Sequence, residues 1–303
     1  MKKILLISIL LCVLTAQAQY VGTKPPKGTQ LDRANSRARG LVGYWLMNEG
    51  GGNTVYDISG NGNHGTLNGD TSWTAGKYGS CLSFDGTGDY VNLGDIGVDE
   101  GVLGLSVSTW VKVNAVTPTS PEFIASRYGT GPDIWYLQHE TDDDVSFVVY
   151  NNSSNMGIGR KANGLGDTNW HHVVGIYNGS NVLLYVDGVL GTKTQGALSG
   201  PTKTGATTPL TIGSDLGLAY EVNGSIDNVM IYNRALSARE IQSLYADPFQ
   251  LLGQPKELYV SAGEAPPAGN GQVIPIMITS ASWWLAAIIL MTMAGCYLKR
   301  KAA

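Results

Sequence analysis

Oxygen-rich side chains are concentrated in one short loop of this chain. Residues 57–64 read Asp-Ile-Ser-Gly-Asn-Gly-Asn-His and so combine an acid, two asparagines and two glycines. Glycine and asparagine tolerate left-handed backbone, which lets such a loop turn sharply and direct carbonyl oxygens inward. Calcium takes about six to eight oxygen ligands from carboxylates, amides and carbonyls. The loop is therefore either a calcium-binding loop or a tight turn whose side chains bond to their own backbone.

Two adjacent histidines, His171 and His172, are the other residues typical of metal binding or acid–base catalysis. Neighbouring residues of a strand point to opposite faces of the sheet, so the pair cannot hold one ion together. His172 shares its face with Trp170, Val174 and Ile176. This pattern indicates packing in a core, and we predict no site at either histidine.

Aromatic side chains beside loops could bind sugars, because aromatic rings and a few polar groups commonly line such sites. Trp135 and Tyr136 are adjacent in a predicted strand, so one of them is expected to face outward. The candidates are Trp73, Tyr78, Tyr128, Trp135, Tyr136, Tyr150 and Tyr220. The alternative is that most of them close the rim of the core, and we predict no individual ligand contact.

The elements that position these residues are mostly strands. Alternating apolar runs at 170–177 and 182–186 flank an Asn-Gly-Ser turn at 178–180, which predicts a hairpin. Further strands are predicted at 41–47, 80–84, 90–93, 105–113, 134–139, 145–150, 210–212 and 224–232. A helix follows Ser237, which forms a capping box with Glu240. Many short strands with frequent turns predict an all-β sandwich or barrel.

Both ends of the 303-residue chain have the features of targeting segments. Residues 1–18 carry two lysines, an apolar run and a small-residue ending, which predicts a secretory signal peptide cleaved after Ala18. Residues 273–298 hold no charge and precede a Lys-Arg-Lys triplet, which predicts one transmembrane helix and a cytoplasmic basic tail at 299–303. A terminal apolar helix with basic residues also resembles bacterial sorting signals that are later cleaved.

Three parts are predicted between these ends. Residues 19–39 form a leader arm, residues 40–247 form the folded domain, and residues 248–272 form a linker rich in Pro and Gly. The exported part has a net charge of −9, because five of the 20 basic residues and none of the 24 acids lie in the terminal segments. Such acidity argues against nucleic acid as a partner. Cys81 has no exported partner for a disulfide and is expected to be buried in a strand.

Several motifs occur along the chain in a recognisable order. They are Gly-Tyr-Trp at 43–45, the glycine-rich loop from Asp57, Ser-Phe-Asp-Gly at 83–86, the hairpin at 170–188, and a strand at 224–232 that leads into the helix. Together they resemble the laminin-G-like, concanavalin A-like jelly-roll family over about residues 41–246. The resemblance implies an antiparallel β-sandwich with one short C-terminal helix.

The resemblance also implies a metal site. In similar domains the glycine-rich loop and an acid on the closing strand share a structural calcium. The implied ligands in this chain are Asp57, the carbonyls around Asn61 and Asn63, and Asp227. We therefore expect one structural Ca²⁺ at these residues, with the self-bonded turn as the alternative.

Catalysis is not indicated by the sequence. Hydrolases on this fold carry acids at alternate positions of one strand, lyases carry clustered Arg, His and Tyr, and the predicted strands show neither. Asp142, Asp143 and Asp144 lie in a predicted loop, where solvation is their expected role. We expect a membrane-anchored extracellular recognition domain that binds a glycan or a protein partner. The alternatives are a carbohydrate-active enzyme on the same fold and a purely structural envelope protein.

Overall fold

The computed structural model describes residues 23–97, 99–129, 133–195, 198–215 and 219–253. Two antiparallel β-sheets and one α-helix make up the regular structure of these residues, which confirms the all-β sandwich with one short helix. The predicted signal peptide at 1–18 and the predicted transmembrane helix at 273–298 lie outside the described residues. Among the helices that the structure does describe, none is long and apolar enough to cross a membrane.

The first sheet contains the strands of the central hairpin and the closing strand. In spatial order it runs β14 (Val189–Leu190), β13 (Val182–Val186), β12 (His171–Tyr177), β7 (Leu105–Val113), β17 (Asn223–Tyr232), β5 (Gly79–Asp85) and β4 (Ser72–Gly76). β1 (Leu41–Trp45) also pairs with β17.

The second sheet faces the first and contains nine strands from the described residues. Its order is β15 (Lys193–Gln195), β11 (Met156–Lys161), β10 (Val145–Tyr150), β9 (Trp135–His139), β8 (Glu122–Arg127), β16 (Leu210–Ile212), β6 (Tyr90–Gly94), β3 (Gly65–Asn68) and β2 (Thr54–Val55).

The main hydrophobic core fills the space between the sheets. Trp135 and Leu137 of β9 point into this core and are fully buried, whereas Tyr136 between them faces the other way. From the opposite sheet, Gly175 of β12 lies against the ring of Phe147 in β10. A Cβ at Gly175 would lie 2.3 Å from that ring, so the two sheets approach closely only because this position is glycine. Cys81 is buried in β5, as expected.

The closing strand β17 is the centre of the first sheet. It pairs with β7 along its length, while β5 pairs with its first half and β1 with its second half. The register of β17 against β7 shifts between Asp227 and Met230, and Asn228 within this bulge has a φ of 56°. The bulge coincides with the change of partner strand, and it places Asp227 where β5 ends its pairing.

A second hydrophobic cluster covers the outer face of the first sheet. It includes Tyr44 of β1, Val174 of β12 and Tyr232 of β17. The helix α1 (Ala238–Ala246) contributes its buried residues Ile241 and Leu244 to this cluster. The capping box at its start is formed, with Ser237 and Glu240 bonding to each other's backbone N–H groups.

The two segments that flank the domain also pack on this face. Leu31 of the leader arm bridges to Leu252, and Phe249, Leu251 and Leu252 are buried in the second cluster. The arm contains a 3₁₀ turn at Ser36–Ala38. The packed part of the chain therefore extends to Leu252, past the boundary at residue 247 expected from the Pro- and Gly-rich composition.

Candidate functional site

The two outer faces of the sandwich differ in what covers them. The arm, α1 and the segment after α1 cover the outer face of the first sheet with the second hydrophobic cluster. On the second sheet, strand alternation places Tyr136 and Gln138 of β9 on the outer face, since Trp135 and Leu137 occupy the core. Aromatic side chains gather around Tyr136 on this face.

We call this group the tyrosine face, which consists of Phe123, Tyr128, Tyr136, Tyr150 and Tyr220. Phe123 is buried at its centre, and the four tyrosines around it are half-buried. Phe123 stacks on Tyr136 with ring centroids 4.6 Å apart and on Tyr220 at 4.8 Å. Tyr128 packs edge-on against Phe123 at 5.3 Å, and Tyr150 lies 6.4 Å from Tyr136. The result is a continuous aromatic surface that is partly open to solvent.

The phenol groups of Tyr128 and Tyr136 stay protonated at neutral pH. Burial raises the pKa of Tyr136 well above its usual value, and Tyr150 adds to the rise. Burial also raises the pKa of Tyr128, with a smaller contribution from Asp133. Both hydroxyl groups are therefore neutral and can donate a hydrogen bond to a ligand.

Polar side chains continue the face along the same strands. Gln138 and Glu140 follow Tyr136 at alternate positions, and Ser146 pairs with Gln138 across β9 and β10. The Gln138 amide donates to a Glu140 carboxylate oxygen at 2.8 Å, and the Ser146 hydroxyl donates to the same oxygen at 2.7 Å. An amide, a hydroxyl and a carboxylate are thus fixed beside the aromatic surface.

Arg160 of β11 closes this polar group on the far side. Its guanidinium donates to both carboxylate oxygens of Asp142 at 2.8 Å and contacts Asp144 at 2.7 Å. Asp142 is exposed, but Asp144 is 3% exposed and also accepts the Asn163 backbone N–H. The expectation of a merely solvated acidic run is therefore wrong for Asp144, because a residue distant in sequence supplies its positive charge.

A buried ion network supports the sheet behind the tyrosine face. Arg127 of β8 is fully buried and donates to Asp99 at 2.6 Å, to Asp95 at 2.5 Å and to Glu100 at 2.9 Å. Trp135 donates its indole N–H to the second Asp99 oxygen at 2.7 Å. Burial raises the pKa of Asp99, and Arg127 and the bond from Trp135 oppose that rise. These contacts fix β8 and β9 in the register that sets Phe123 beside Tyr136.

Only some of the aromatic residues predicted as sugar contacts meet on one face. Tyr128, Tyr136, Tyr150 and Tyr220 do, although Tyr220 lies far from the others in the sequence. Trp135 is a core residue, Trp73 packs partly against the core, and Tyr78 packs against Phe249 under the arm. Phe123, Gln138, Glu140 and Ser146 also belong to this region and were not predicted from the sequence. The alternation of Tyr136, Gln138 and Glu140 was a signal for two of them.

The glycine-rich loop bonds extensively to itself. The Asp57 carboxylate accepts from the backbone N–H groups of Tyr44, Ser59 and Asn63 at 2.8–3.0 Å and from the Ser59 hydroxyl at 2.8 Å. The amide groups of Asn61 and Asn63 donate to the carbonyl of Val42. Four donors therefore satisfy Asp57, and the loop is held to β1.

Asp227 has a different set of partners. It is fully buried at the bulge of β17, and the ammonium group of Lys24 donates to its carboxylate and to the carbonyls of Met47 and Ser80. Burial raises the pKa of Asp227 to about 6, and the charge of Lys24 opposes the rise. The Lys24 ammonium thus already supplies positive charge among three oxygen atoms.

These contacts bear on the calcium expected at Asp57, Asn61, Asn63 and Asp227. Asp57 and Asp227 share none of their bonded partners. Four donors already satisfy the Asp57 carboxylate, and the Lys24 ammonium already neutralises Asp227, so the arrangement fits the self-bonded turn better. The calcium at these residues stays a prediction from the resemblance.

The two histidines face in opposite directions. His171 contacts Asp187 at 2.8 Å and Asp167 at 3.1 Å near the surface. His172 is 2% exposed, contacts the Ser108 hydroxyl at 2.9 Å and packs against Trp110. Burial lowers the pKa of His172 to about 4. It is neutral at physiological pH, and its packing agrees with the structural role expected from the sequence.

The chain matches known proteins at the level of a family and a fold. A family model described as the concanavalin A-like lectin/glucanases superfamily matches residues 85–242. No curated protein matches the chain.

Solved structures show the same fold in several binding domains. Domain 4 of AbnA, a GH43 extracellular arabinanase from Geobacillus stearothermophilus, in complex with arabinotriose, is 21% identical with a TM-score of 0.53, over 68% of this chain and 98% of that one. The botulinum neurotoxin serotype D ligand-binding domain in complex with N-acetylneuraminic acid is 14% identical with a TM-score of 0.52, over 69% and 51%. The binding domain of Paraclostridial Mosquitocidal Protein 1 is 12% identical with a TM-score of 0.55, over 71% and 53%. The chain spans about half the length of these toxin domains.

Proposed function

The chain belongs to the concanavalin A-like lectin/glucanases superfamily, and on that premise we propose that its tyrosine face binds carbohydrate and that the domain is a non-catalytic recognition module. The observation that carries the proposal is the aromatic surface itself. Four half-buried tyrosines surround Phe123 on the outer face of the second sheet. An aromatic surface with one side open to solvent suits the apolar face of a sugar ring.

The polar groups beside the aromatic surface suit the hydroxyl groups of a sugar. Gln138, Ser146 and Glu140 lie next to Tyr136 and are held by bonds to one another. A bound sugar would stack on Tyr136 and exchange hydrogen bonds with Glu140, which the buried Gln138 and Ser146 hold in place. The side chains are already ordered, so binding costs less side-chain entropy than it would on a flexible loop.

The charges near the face favour a neutral sugar over an acidic one. Glu140 and Asp142 are carboxylates at its polar end, and Arg160 is already paired with Asp142 and Asp144. An anionic sugar would meet the carboxylates without a free guanidinium to neutralise it. We therefore propose neutral oligosaccharides as the ligand class.

The comparisons support a binding role at the level of the fold. Domain 4 of AbnA was solved with arabinotriose, and a toxin binding domain with N-acetylneuraminic acid. At 21% and 14% identity these similarities establish the shared sandwich, and the choice of ligand for this chain rests on its own side chains.

The same face argues against hydrolysis. Glycoside hydrolysis uses two carboxylates, one of which must be protonated as the acid. On the tyrosine face, Glu140 accepts from Gln138 and Ser146, and Asp142 is bound to Arg160. Both carboxylates are thus held as hydrogen-bond acceptors by neighbouring side chains, an arrangement that suits ligand binding.

The location of the protein is also part of the proposal. The predicted signal peptide at 1–18 and the predicted transmembrane helix at 273–298 would export the domain and hold it at the cell surface. An anchored domain with a neutral-glycan site fits adhesion or surface capture. If no glycan binds, the remaining alternatives are a protein partner on the same face and a purely structural role in the cell envelope.

Binding of the full-length chain to an array of neutral and sialylated glycans tests the proposal. We expect binding to a neutral oligosaccharide, with a Kd in titration that Tyr136→Ala raises about tenfold or more, equivalent to about 1.4 kcal/mol. The matched control is Tyr56→Ala, because Tyr56 is 53% exposed and lies in the loop region away from this face.

Two results would contradict the proposal. Equal loss of binding in Tyr136→Ala and Tyr56→Ala would show that the tyrosine face is not the site. Release of new reducing ends from the bound polysaccharide would show an enzyme instead of a recognition module.

A further inference from the structure

Three aspartates outside the tyrosine face and the glycine-rich loop meet at one edge of the sandwich. Asp70 lies in the turn between β3 and β4, Asp85 ends β5, and Asp89 lies in the turn before β6. One carboxylate oxygen from each lies within 4.8 Å of the corresponding oxygens of the other two. Asp70 and Asp85 are exposed, whereas Asp89 is 1% exposed.

The buried member of this cluster has an oxygen without a hydrogen-bond partner. Oδ2 of Asp89 accepts the backbone N–H of Asp85 at 3.0 Å, but Oδ1 has no partner and is inaccessible to solvent. Oδ1 points toward the turn that carries Asp70, since it lies 2.5 Å from where a Cβ on Gly69 would be. The carbonyl oxygen of Gly88 lies 2.4 Å from the same point.

A buried carboxylate oxygen beside two further acids is unfavourable unless a positive charge compensates it. Two other buried acids of this domain have it, because Lys24 pairs with Asp227 and Arg127 with Asp99. No lysine or arginine in the described part of the chain forms an ion pair with any of the three clustered aspartates. Burial raises the pKa of Asp89, and the neighbouring Asp70 adds to the rise, as expected for a carboxylate that lacks a cation.

We propose that Asp70, Asp85 and Asp89 bind a divalent cation, with calcium as the ion that fits best. All the donors are oxygens, which selects hard cations over zinc or copper. The mixture of two exposed carboxylates, one buried carboxylate and a nearby carbonyl matches the irregular, oxygen-only coordination that calcium accepts, whereas magnesium demands a near-octahedral shell. This site is separate from the calcium expected at Asp57 and Asp227.

The position of the site gives the ion a structural role. β3 and β6 belong to the second sheet, while β4 and β5 belong to the first. An ion held by the β3–β4 turn, the end of β5 and the β5–β6 turn would tie the two sheets together at this edge. Binding to the folded form alone stabilises it by mass action.

Terbium luminescence and thermal unfolding of the full-length chain test the site. Tb³⁺ replaces calcium at oxygen ligands. Trp73 lies three residues after Asp70 and Tyr90 directly follows Asp89, so both are close enough in sequence to sensitise its emission. We expect saturable emission that Ca²⁺ displaces, and a melting temperature several degrees higher in Ca²⁺ than in chelator.

The variants separate this site from the one that the family resemblance implies. Asp70→Asn should weaken Tb³⁺ and Ca²⁺ binding at least tenfold, because it removes one charged carboxylate ligand. Asp70 is exposed, so the change should leave the fold intact. Asp32→Asn, an exposed acid elsewhere, should leave binding unchanged. The proposal would be overturned if Asp70→Asn bound the ions as the unchanged protein does, all the more so if Asp57→Asn lost binding. The absence of saturable emission would also overturn it.

Discussion

Lys24 shows how one side chain from outside the expected domain completes a buried site. It belongs to the leader arm, yet its ammonium group lies among Met47, Ser80 and Asp227 with only 4% of the side chain exposed. Asp227 is fully buried, and its second oxygen has no hydrogen-bond partner. A buried charge pair of this kind is costly to break, because removal of one partner leaves the other uncompensated.

Lys24→Met should destabilise the protein by about 3–5 kcal/mol at pH 8 and by less at pH 5. The pKa of Asp227 is raised to about 6 in the folded protein, against 3.8 for an unperturbed aspartate. A raised folded-state pKa favours the folded state at low pH, and that contribution is lost as the pH rises through about 6. Without Lys24 the pKa rises further, so the ionised form becomes more costly at pH 8.

Urea unfolding at the two pH values measures this effect. Lys27→Met is the matched control, since Lys27 is an exposed lysine of the same arm. An equal loss of stability at pH 5 and pH 8 would show that Lys24 acts by packing and not through the charge of Asp227.

At the scale of elements, the helix α1 is held by its first turn. Burial acts to raise the pKa of Glu240, but the bonds from Arg234 and Ser237 outweigh it and lower the pKa to about 2. Arg234 donates to Glu240 at 2.7 Å. Glu240 therefore contributes stability that is present above its unfolded pKa and is lost only as the pH falls toward 2. The helix covers Trp110, with Tyr245 stacked on the indole at 5.6 Å.

Ser237→Ala should lower the free energy of unfolding by about 0.5–2 kcal/mol, because it removes the acceptor for the Glu240 backbone N–H. Ser237→Thr keeps a hydroxyl at the N-cap and should retain most of the stability. Denaturant unfolding followed by tryptophan fluorescence measures both, with Trp110 reporting on the helix. A loss in Ser237→Thr as large as in Ser237→Ala would rule out the cap as the cause.

At the scale of the whole molecule, the chain closes on itself around the first sheet. Two backbone hydrogen bonds join the arm to the segment after α1. The Asp32 N–H donates to the Leu251 carbonyl at 2.8 Å, and the Gly253 N–H donates to the Gln30 carbonyl at 2.9 Å. The arm also reaches the β4–β5 turn through Lys24 N–H to Tyr78 O at 2.8 Å. The two ends of the described chain therefore cover the apolar surface that the first sheet would otherwise expose.

A chain that begins at Arg39 should melt at a clearly lower temperature and bind the dye ANS. Without the arm, the residues of the second cluster that Leu31 covers are exposed, and burial of each leucine is worth about 1.5–3 kcal/mol. Calorimetry and ANS fluorescence provide the measurement. A chain beginning at Thr23 keeps the arm contacts made by the described residues and should behave like the full chain. Equal melting of the two truncations would show that the arm is dispensable.

Local sequence patterns were enough to predict several strands and the start of the capped helix. The run at 182–186 coincides with β13, where burial on one side leaves a period-two pattern that can be read locally. The runs at 105–113 and 145–150 coincide with β7 and β10, which are buried on both faces but rich in β-branched and aromatic residues. Ser237 and Glu240 fixed the start of α1 in the same way, since a capping box involves residues only three positions apart. The family resemblance followed from the order of such local motifs.

The residues that meet at the tyrosine face, at the Lys24–Asp227 pair and at the aspartate cluster could be identified only from the folded chain. β8 was missed because its residues, from Glu122 to Arg127, neither alternate nor are rich in β-branched and aromatic types. Phe123 at the centre of the tyrosine face was missed with it. Lys24 and Asp227 are 203 positions apart, and nothing local in either segment indicates the other. The clustering of Asp70, Asp85 and Asp89 likewise depends on two sheets meeting at one edge. Side-chain periodicity is a local property, whereas a binding site depends on contacts between segments that only folding brings together.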